Sequence, residues 1–146
     1  MVQTSEIILA REFLNSAYQI ERRVKILERQ IMEAEALALK ITPTIKETPG
    51  AARQDSKVES AAVKAADYQK RLQLQLDYLI NAKLDIEATI ASIADTNQRD
   101  ILRMRYLLCM GWEAIARNMN YSSRHVFRVH ENAIITVASM RAYGTK

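Results

Sequence analysis

The chain has 146 residues, a net charge of +4 and hydrophobic residues at 49% of its positions, a composition that supports a packed core and excludes a disordered protein. The chain has three glycines and two prolines, so few of its residues interrupt a helix. No apolar run approaches the roughly 20 residues that span a bilayer. The N-terminus lacks the basic region of a secretory signal, and the single cysteine, Cys109, excludes an internal disulfide. We therefore expect a cytoplasmic protein that does not enter a membrane.

The first predicted element is a helix from about Ser5 to Ile41. Apolar residues recur along it at alternating spacings of four and three, a heptad pattern that requires a helical partner. The heptad positions are Phe13, Ala17, Ile20, Val24, Leu27, Ile31, Ala34, Ala38 and Ile41. We expect segment 42–50 to end this helix, because each of its prolines lacks an N–H donor and restricts the residue before it.

A second helix is predicted to begin at Ser56, because Ser56-Lys57-Val58-Glu59 has the form of a capping box. Its heptad positions are Val58, Ala62, Ala65, Gln69, Leu72, Leu76, Leu79, Lys83, Ile86, Ile90 and Ile93. Two such helices, joined by a loop of about fifteen residues, can fold back on each other. The sequence therefore predicts a long, coiled-coil-like antiparallel hairpin in a first domain of residues 1–95.

Several further apolar residues lie off the heptad positions. They are Ile26, Leu37, Leu39, Leu74, Ile80 and Leu84. They indicate either a wider contact within the hairpin or association between copies of the chain. We favour a homo-oligomer, and among oligomers a dimer, because twofold symmetry is the commonest.

Shorter helices are predicted in a second domain, residues 96–146, with Asp95 or Thr96 as the N-cap. The first covers Gln98 to Met110, and Gly111 is expected to take the left-handed conformation after its end. Its expected core residues are Leu102, Tyr106 and Cys109, with Ile101 and Leu108 beside them.

A helix–turn–helix pattern follows. A short helix covers Trp112 to Met119, with Trp112 as an anchor, and Asn120-Tyr121 forms a turn since asparagine tolerates left-handed backbone. Ser122 is the expected N-cap of a third helix that runs to about Tyr143. The core face of that helix comprises Val126, Val129, His130, Ala133 and Val137.

Arg124 and Arg128 point directly away from this core face, one turn apart, because each residue turns an α-helix by about 100°. From residue 96 onward the chain has eight basic residues against three acidic ones. We therefore predict that residues 122–140 form a recognition helix in the major groove of double-stranded DNA, where arginine reads guanine. The hydroxyls of Ser122 and Ser123 could contact phosphate. A solvated basic surface is the alternative.

Three segments resemble a known family: RDILRMRY at 99–106, GWEAIA at 111–116 and YSSRHVFRVH at 121–130. They resemble the fourth region of bacterial sigma factors, a helix-turn-helix that reads a promoter element. The chain is also similar to phage and prophage regulators with a sigma-like C-terminal helix-turn-helix, including the RinA-like and ArpU-like late-gene activators. The resemblance implies base reading by Ser123, Arg124 and Arg128, with His125 and Phe127 beside them, and a possible contact with RNA polymerase of the bacterial host.

Two other functions fit the same pattern. A small terminase subunit also combines a helix-turn-helix with oligomerising helices, and a sigma-like module could bind polymerase without reading DNA. No enzyme, catalytic residue, cofactor or metal site is predicted, because the sequence has no phosphate-binding glycine motif, Cys-x-x-Cys or His-Glu-x-x-His. His125 and His130 are five residues apart and therefore on different faces of a helix.

Overall fold

The computed structural model describes residues 1–47 and 52–144, and within these ranges it consists of helices and contains no strand. The described residues form five α-helices, which are α1 (Thr4–Glu47), α2 (Ala52–Ala91), α3 (Thr96–Leu102), α4 (Trp112–Met119) and α5 (Ser123–Tyr143). A π-helical turn, Arg103–Leu107, follows α3 directly. The predicted all-α class is confirmed.

The heptad register predicted for α1 and α2 is confirmed. Every predicted position from Phe13 to Ile41 and from Val58 to Ile93 is buried or half-buried. The most enclosed include Leu27, Leu72 and Leu79, together with Ile86 and Ile90. The spacing of apolar side chains therefore fixes which face of each long helix is covered.

The predicted ends of the long helices are wrong. Helix α1 continues through Pro43 to Glu47, and α2 begins at Ala52 rather than at Ser56. Proline lacks one hydrogen bond, but its φ of about −65° is helical, so one proline does not have to end a long helix. Residues 48–51 of the predicted loop lie outside the described residues, and the other residues of that loop are helical.

The chain divides into two compact units, and α1 and α2 contribute to both. One unit contains Met1–Glu21 together with the described residues from Asn81 onward, and the other is Arg22–Ile80. The domain boundary predicted at residue 95 does not coincide with this division, because the start of α1 and the end of α2 belong with α3, α4 and α5.

In the unit Arg22–Ile80, side chains of α1 and α2 line common grooves. Leu27 and Ile26 lie with Leu79 and Tyr78 along a groove of about 350 Å³. Toward the C-terminal end of α1, Ala38 and Ile41 line a second groove together with residues from the N-terminal half of α2, namely Ala62, Ala65, Ala66 and Gln69. The six apolar residues named above as lying off the heptad positions are exposed, from 39% at Ile80 to 73% at Leu39.

In the other unit, the first turns of α1 are attached to α5 and to the π turn. The Tyr18 hydroxyl donates to the carbonyl oxygen of Arg105 at 2.6 Å, and Arg11 forms an ion pair with Glu131. The Arg141 guanidinium lies 3.6 Å from the centroid of the Phe13 ring. These contacts fasten residues 1–21 to the C-terminal helices.

The predicted helix Gln98–Met110 differs from the structure at both ends. Asp95 is the N-cap and accepts from the backbone N–H of Gln98 at 3.0 Å, so the helix begins at Thr96. After Leu102 the hydrogen bonding changes, and the N–H of Leu108 donates to the carbonyl of Arg103, five residues earlier. A π turn contains one more residue than an α turn, so the side chains that follow leave the predicted face.

That extra residue accounts for three wrong predictions. Cys109 is exposed rather than in the core, and Leu108 is 67% exposed. The left-handed residue is Cys109, with φ 54°, whereas Gly111 is extended, with φ −71° and ψ 157°, and N-caps α4. Ile101 and Leu102 precede the π turn and Tyr106 lies within it, and all three are buried as predicted.

Candidate nucleic-acid interface

A small apolar core holds α3, α4 and α5 together. Its buried members are Ile101 of α3, Ile115 and Ala116 of α4, and Val126 of α5. The side chains packed around them are Met104, Met110, Trp112, Met119, Tyr121 and Val129. Ala116 is small, so α4 and α5 can approach each other at this point.

The connection between α4 and α5 has the predicted form. Asn120 is left-handed, with φ 56° and ψ 39°, and the N–H of Tyr121 donates to the carbonyl of Ala116 at 3.0 Å. The Ser122 hydroxyl then accepts from the N–H of His125 at 3.2 Å, which makes Ser122 the N-cap of α5. The turn therefore satisfies the backbone at both helix ends and fixes where α5 begins.

The six residues predicted to bind DNA lie together at the start of α5. Ser122, Ser123, Arg124, Phe127 and Arg128 are exposed, and His125 is half-buried. The His125 ring packs edge-on against Tyr121, with 4.4 Å between the ring centroids. On the opposite face of α5, His130, Ala133 and Val137 are buried as predicted.

Positive charge on this surface is uncompensated. Within the described part of the chain, Arg124 and Arg128 have no acidic partner, and the same is true of exposed Arg117 on α4. Other arginines of the C-terminal third do have partners, since Arg103 pairs with Asp100 and Arg141 with Asp85, both at 3.9 Å.

Arg117 was not among the predicted site residues. Its position two residues after the core residue Ile115 is the sequence signal for it, because two residues turn a helix by about 200° and so direct a side chain outward.

A layer of aromatic side chains packs against α5. Trp112 lies between Phe127 and His130, with centroid distances of 4.8 and 4.7 Å. The Arg105 guanidinium lies 4.3 Å from the Trp112 centroid, and it also donates to the carbonyl of Met110 at 3.1 Å. Trp112 is therefore an anchor, as predicted, but the sequence pattern did not indicate the part played by Arg105.

His130 and Tyr106 form the polar centre of this layer. Tyr106 Oη and His130 Nε2 are 2.9 Å apart and share a hydrogen bond. Burial lowers the pKa of His130 to about 4 and raises the pKa of Tyr106 to about 12, so both side chains are neutral at pH 7. His130 is therefore a hydrogen-bonded core residue, on the face of α5 that the sequence predicted to be buried.

The described residues include no group of three or more His, Cys, Asp or Glu side chains that could hold a metal ion. Likewise, none of the described helices is long and apolar enough to cross a membrane.

A protein family matches most of the C-terminal two thirds of the chain. The family described as "Protein of unknown function (DUF1492)" matches residues 43–138, and the chain belongs to this family. No curated protein and no solved structure matches the chain. The matched segment includes α4, the turn and most of α5.

Proposed function

We propose that this protein is a sequence-specific DNA-binding transcriptional regulator in which α4, the Asn120 turn and α5 act as a helix-turn-helix. The observation that carries the proposal is the pair Arg124 and Arg128, which are exposed at the start of α5 and have no acidic partner among the described residues. Arginine that is not engaged within a protein is available for the paired acceptors of guanine in the major groove.

The surroundings of the two arginines support the same function. Ser122 and Ser123 directly precede Arg124 and are exposed, Arg117 is exposed on α4, and such side chains commonly contact phosphate oxygens. The opposite face of α5 is buried on α3 and α4, so the arginines project from a helix that is fixed in place. A fixed recognition helix lowers the entropy that binding costs.

The long helices are proposed to join two copies. The grooves that α1 and α2 share support an antiparallel helical hairpin, which presents exposed apolar residues to a second chain. The resemblance to phage and prophage regulators supports three further proposals. They are that the protein originates from a phage or prophage, that it is located in the cytoplasm of a bacterial host and that it contacts bacterial RNA polymerase.

The test is a selection of duplexes from a random DNA library by the full chain, followed by binding measurements on the selected duplex. We expect Arg124→Ala and Arg128→Ala each to weaken binding by about 1–3 kcal/mol and to relax the preference at one base pair. Arg29→Ala is the matched control, since Arg29 is exposed, pairs with Glu33 and lies in the unit Arg22–Ile80.

The control variant loses the same charge, so it separates base reading from a general electrostatic effect. Unchanged affinity and sequence preference in both Arg124→Ala and Arg128→Ala would exclude base reading by α5. Equal weakening by all three variants on every duplex would indicate that the arginines attract DNA without reading it.

A further inference from the structure

Phe127 is an exposed aromatic side chain that is held in one position. The residue is 45% exposed although its ring packs against Trp112, with 4.8 Å between the centroids and 44° between the planes. Trp112 is itself held by the Arg105 guanidinium and by the edge of His130. The exposed part of the Phe127 ring is therefore a rigid apolar surface.

This apolar surface lies among the arginines. Phe127 follows Arg124 by three residues, which places it about 60° away around α5 and one turn further along. Arg128 is the next residue. The exposed start of α5 thus combines one apolar ring with two guanidinium groups that have no acidic partner among the described residues.

The edges of DNA bases have few apolar groups against which a phenylalanine ring could pack. In the major groove, the base edges present hydrogen-bond donors and acceptors, and the one apolar group is the 5-methyl of thymine. A hydrogen-bonding edge opposite Phe127 would lose its water without gaining a partner, whereas a methyl group would be buried favourably.

We propose that Phe127 is a specificity-determining residue that packs against the 5-methyl group of a thymine next to the base read by Arg124; this inference rests on the proposed function. Arg124 then reads one base by hydrogen bonds, and Phe127 reads its neighbour by apolar contact. The Trp112 ring keeps Phe127 from turning away from the base.

The experiment uses the duplex selected by the full chain and replaces its thymines one at a time by deoxyuridine. Uracil keeps the pairing edge of thymine and lacks only the methyl group. We expect one position, or one in each half-site, at which deoxyuridine weakens wild-type binding about fourfold, the value for burial of one methyl-sized group. Phe127→Ala should bind both duplexes equally, and Phe127→Leu should restore part of the discrimination.

Ile135→Ala is the matched control, because Ile135 is 43% exposed on the same helix, two turns beyond the arginines. It should keep the wild-type ratio between the two duplexes. Trp112 is the single tryptophan of the chain, so its fluorescence reports whether each variant keeps the aromatic layer. The uracil scan of the wild type needs no variant and is unaffected if Phe127→Ala fails to fold.

Three outcomes overturn the inference. A uracil scan of the wild type that is flat within twofold at every thymine excludes a methyl contact. A uracil effect that persists in Phe127→Ala assigns the contact to another residue. Failure to select any duplex removes the proposed function together with this inference, whereas sensitivity to Arg124→Ala with a flat scan removes the inference alone.

Discussion

At the level of single residues, His130 has an environment that suits only its neutral form. Tyr106 stacks beside it at 5.8 Å, Trp112 meets it edge-on and Tyr106 Oη is hydrogen-bonded to Nε2. Glu131 Oε1 lies 3.8 Å from Nδ1, which favours the ring proton on that nitrogen and leaves Nε2 to accept from Tyr106. Burial nevertheless has the largest effect and lowers the pKa of His130 to about 4.

We predict that the protein loses stability as the pH falls from about 6.5 to about 4. In this range the unfolded chain binds a proton at His130 that the folded chain does not bind, because the folded pKa is the lower one. The stabilisation is complete above pH 6.5, and no more is lost below pH 4. The loss should reach roughly 3 kcal/mol, from 1.36 kcal/mol per pKa unit.

The measurement is urea unfolding of the wild type and of His130→Gln across this pH range. The difference between the two proteins isolates the contribution of His130 to the pH dependence of stability from that of the carboxyl groups. The free energy of unfolding of His130→Gln should depend less on pH than that of the wild type. Parallel pH curves for wild type and His130→Gln would contradict the prediction.

At the level of the elements, the link between α3 and α4 contains an unusual backbone position. Cys109 is left-handed, although the steric cost of this conformation for a residue with a Cβ is about 1–2 kcal/mol. Gly111, the residue that could adopt it freely, is extended and leaves α4 without a side-chain cap. A Cβ at Gly111 would meet no atom within 4 Å.

Cys109→Gly should therefore stabilise the protein by about 0.5–1 kcal/mol, because relief of the left-handed strain exceeds the entropy that glycine loses on folding. Gly111→Ser should stabilise by less, about a few tenths of a kcal/mol, since serine can cap α4 but glycine is itself a tolerated N-cap. Both changes are measurable as shifts in the midpoint of chemical unfolding. A destabilising Cys109→Gly, or a Gly111→Ser variant that fails to fold, would contradict this account of the link.

The helices and the candidate site were predictable where the pattern is local and repeated. The heptads of α1 and α2, the N-cap at Ser122 and the turn at Asn120 each follow from neighbouring residues. The end of α1 and the π turn were not predictable, since a proline is compatible with helix and no residue type marks a π turn. The burial of Tyr106 and His130 was expected from the spacing of their neighbours. The hydrogen bond of Tyr18 to Arg105 was not predictable, because it joins residues 87 positions apart.

At the level of the whole molecule, the unit Arg22–Ile80 leaves several large apolar side chains exposed to solvent in the single chain. Ile26 and Leu37 are both 54% exposed, and Tyr78 and Leu74 are exposed as well. Ile26 and Leu37 are 11 residues apart, or about three turns, so they lie on nearly the same face of α1. Such a face is typical of a surface that another chain covers.

We predict that the full chain is a dimer and that Ile26→Glu combined with Leu37→Glu makes it a monomer without loss of helix. The substituted side chains are exposed in the single chain, so the change should affect association and not folding. Light scattering gives the mass and circular dichroism gives the helix content. Ile8→Glu, at a residue 52% exposed in the other unit, is the control and should remain dimeric.

A monomeric wild type, or a dimer that persists in the double variant, would remove this face as the interface. Leu27→Ala provides a contrast from the buried side of α1, where it should cost about 2–5 kcal/mol of stability.

Residues 1–21 belong to the same unit as residues at the other end of the chain, and the Tyr143 hydroxyl donates to the carbonyl of Met1. A ribosome adds roughly 5–20 residues per second, so this first segment leaves the exit tunnel several seconds before its partners are made. During that interval the nascent chain exposes Leu14 and Ala10, which the finished protein buries completely. The unit that contains residues 1–21 can therefore form only once the residues from Asn81 onward have been made, and until then residues 1–21 lack their native contacts.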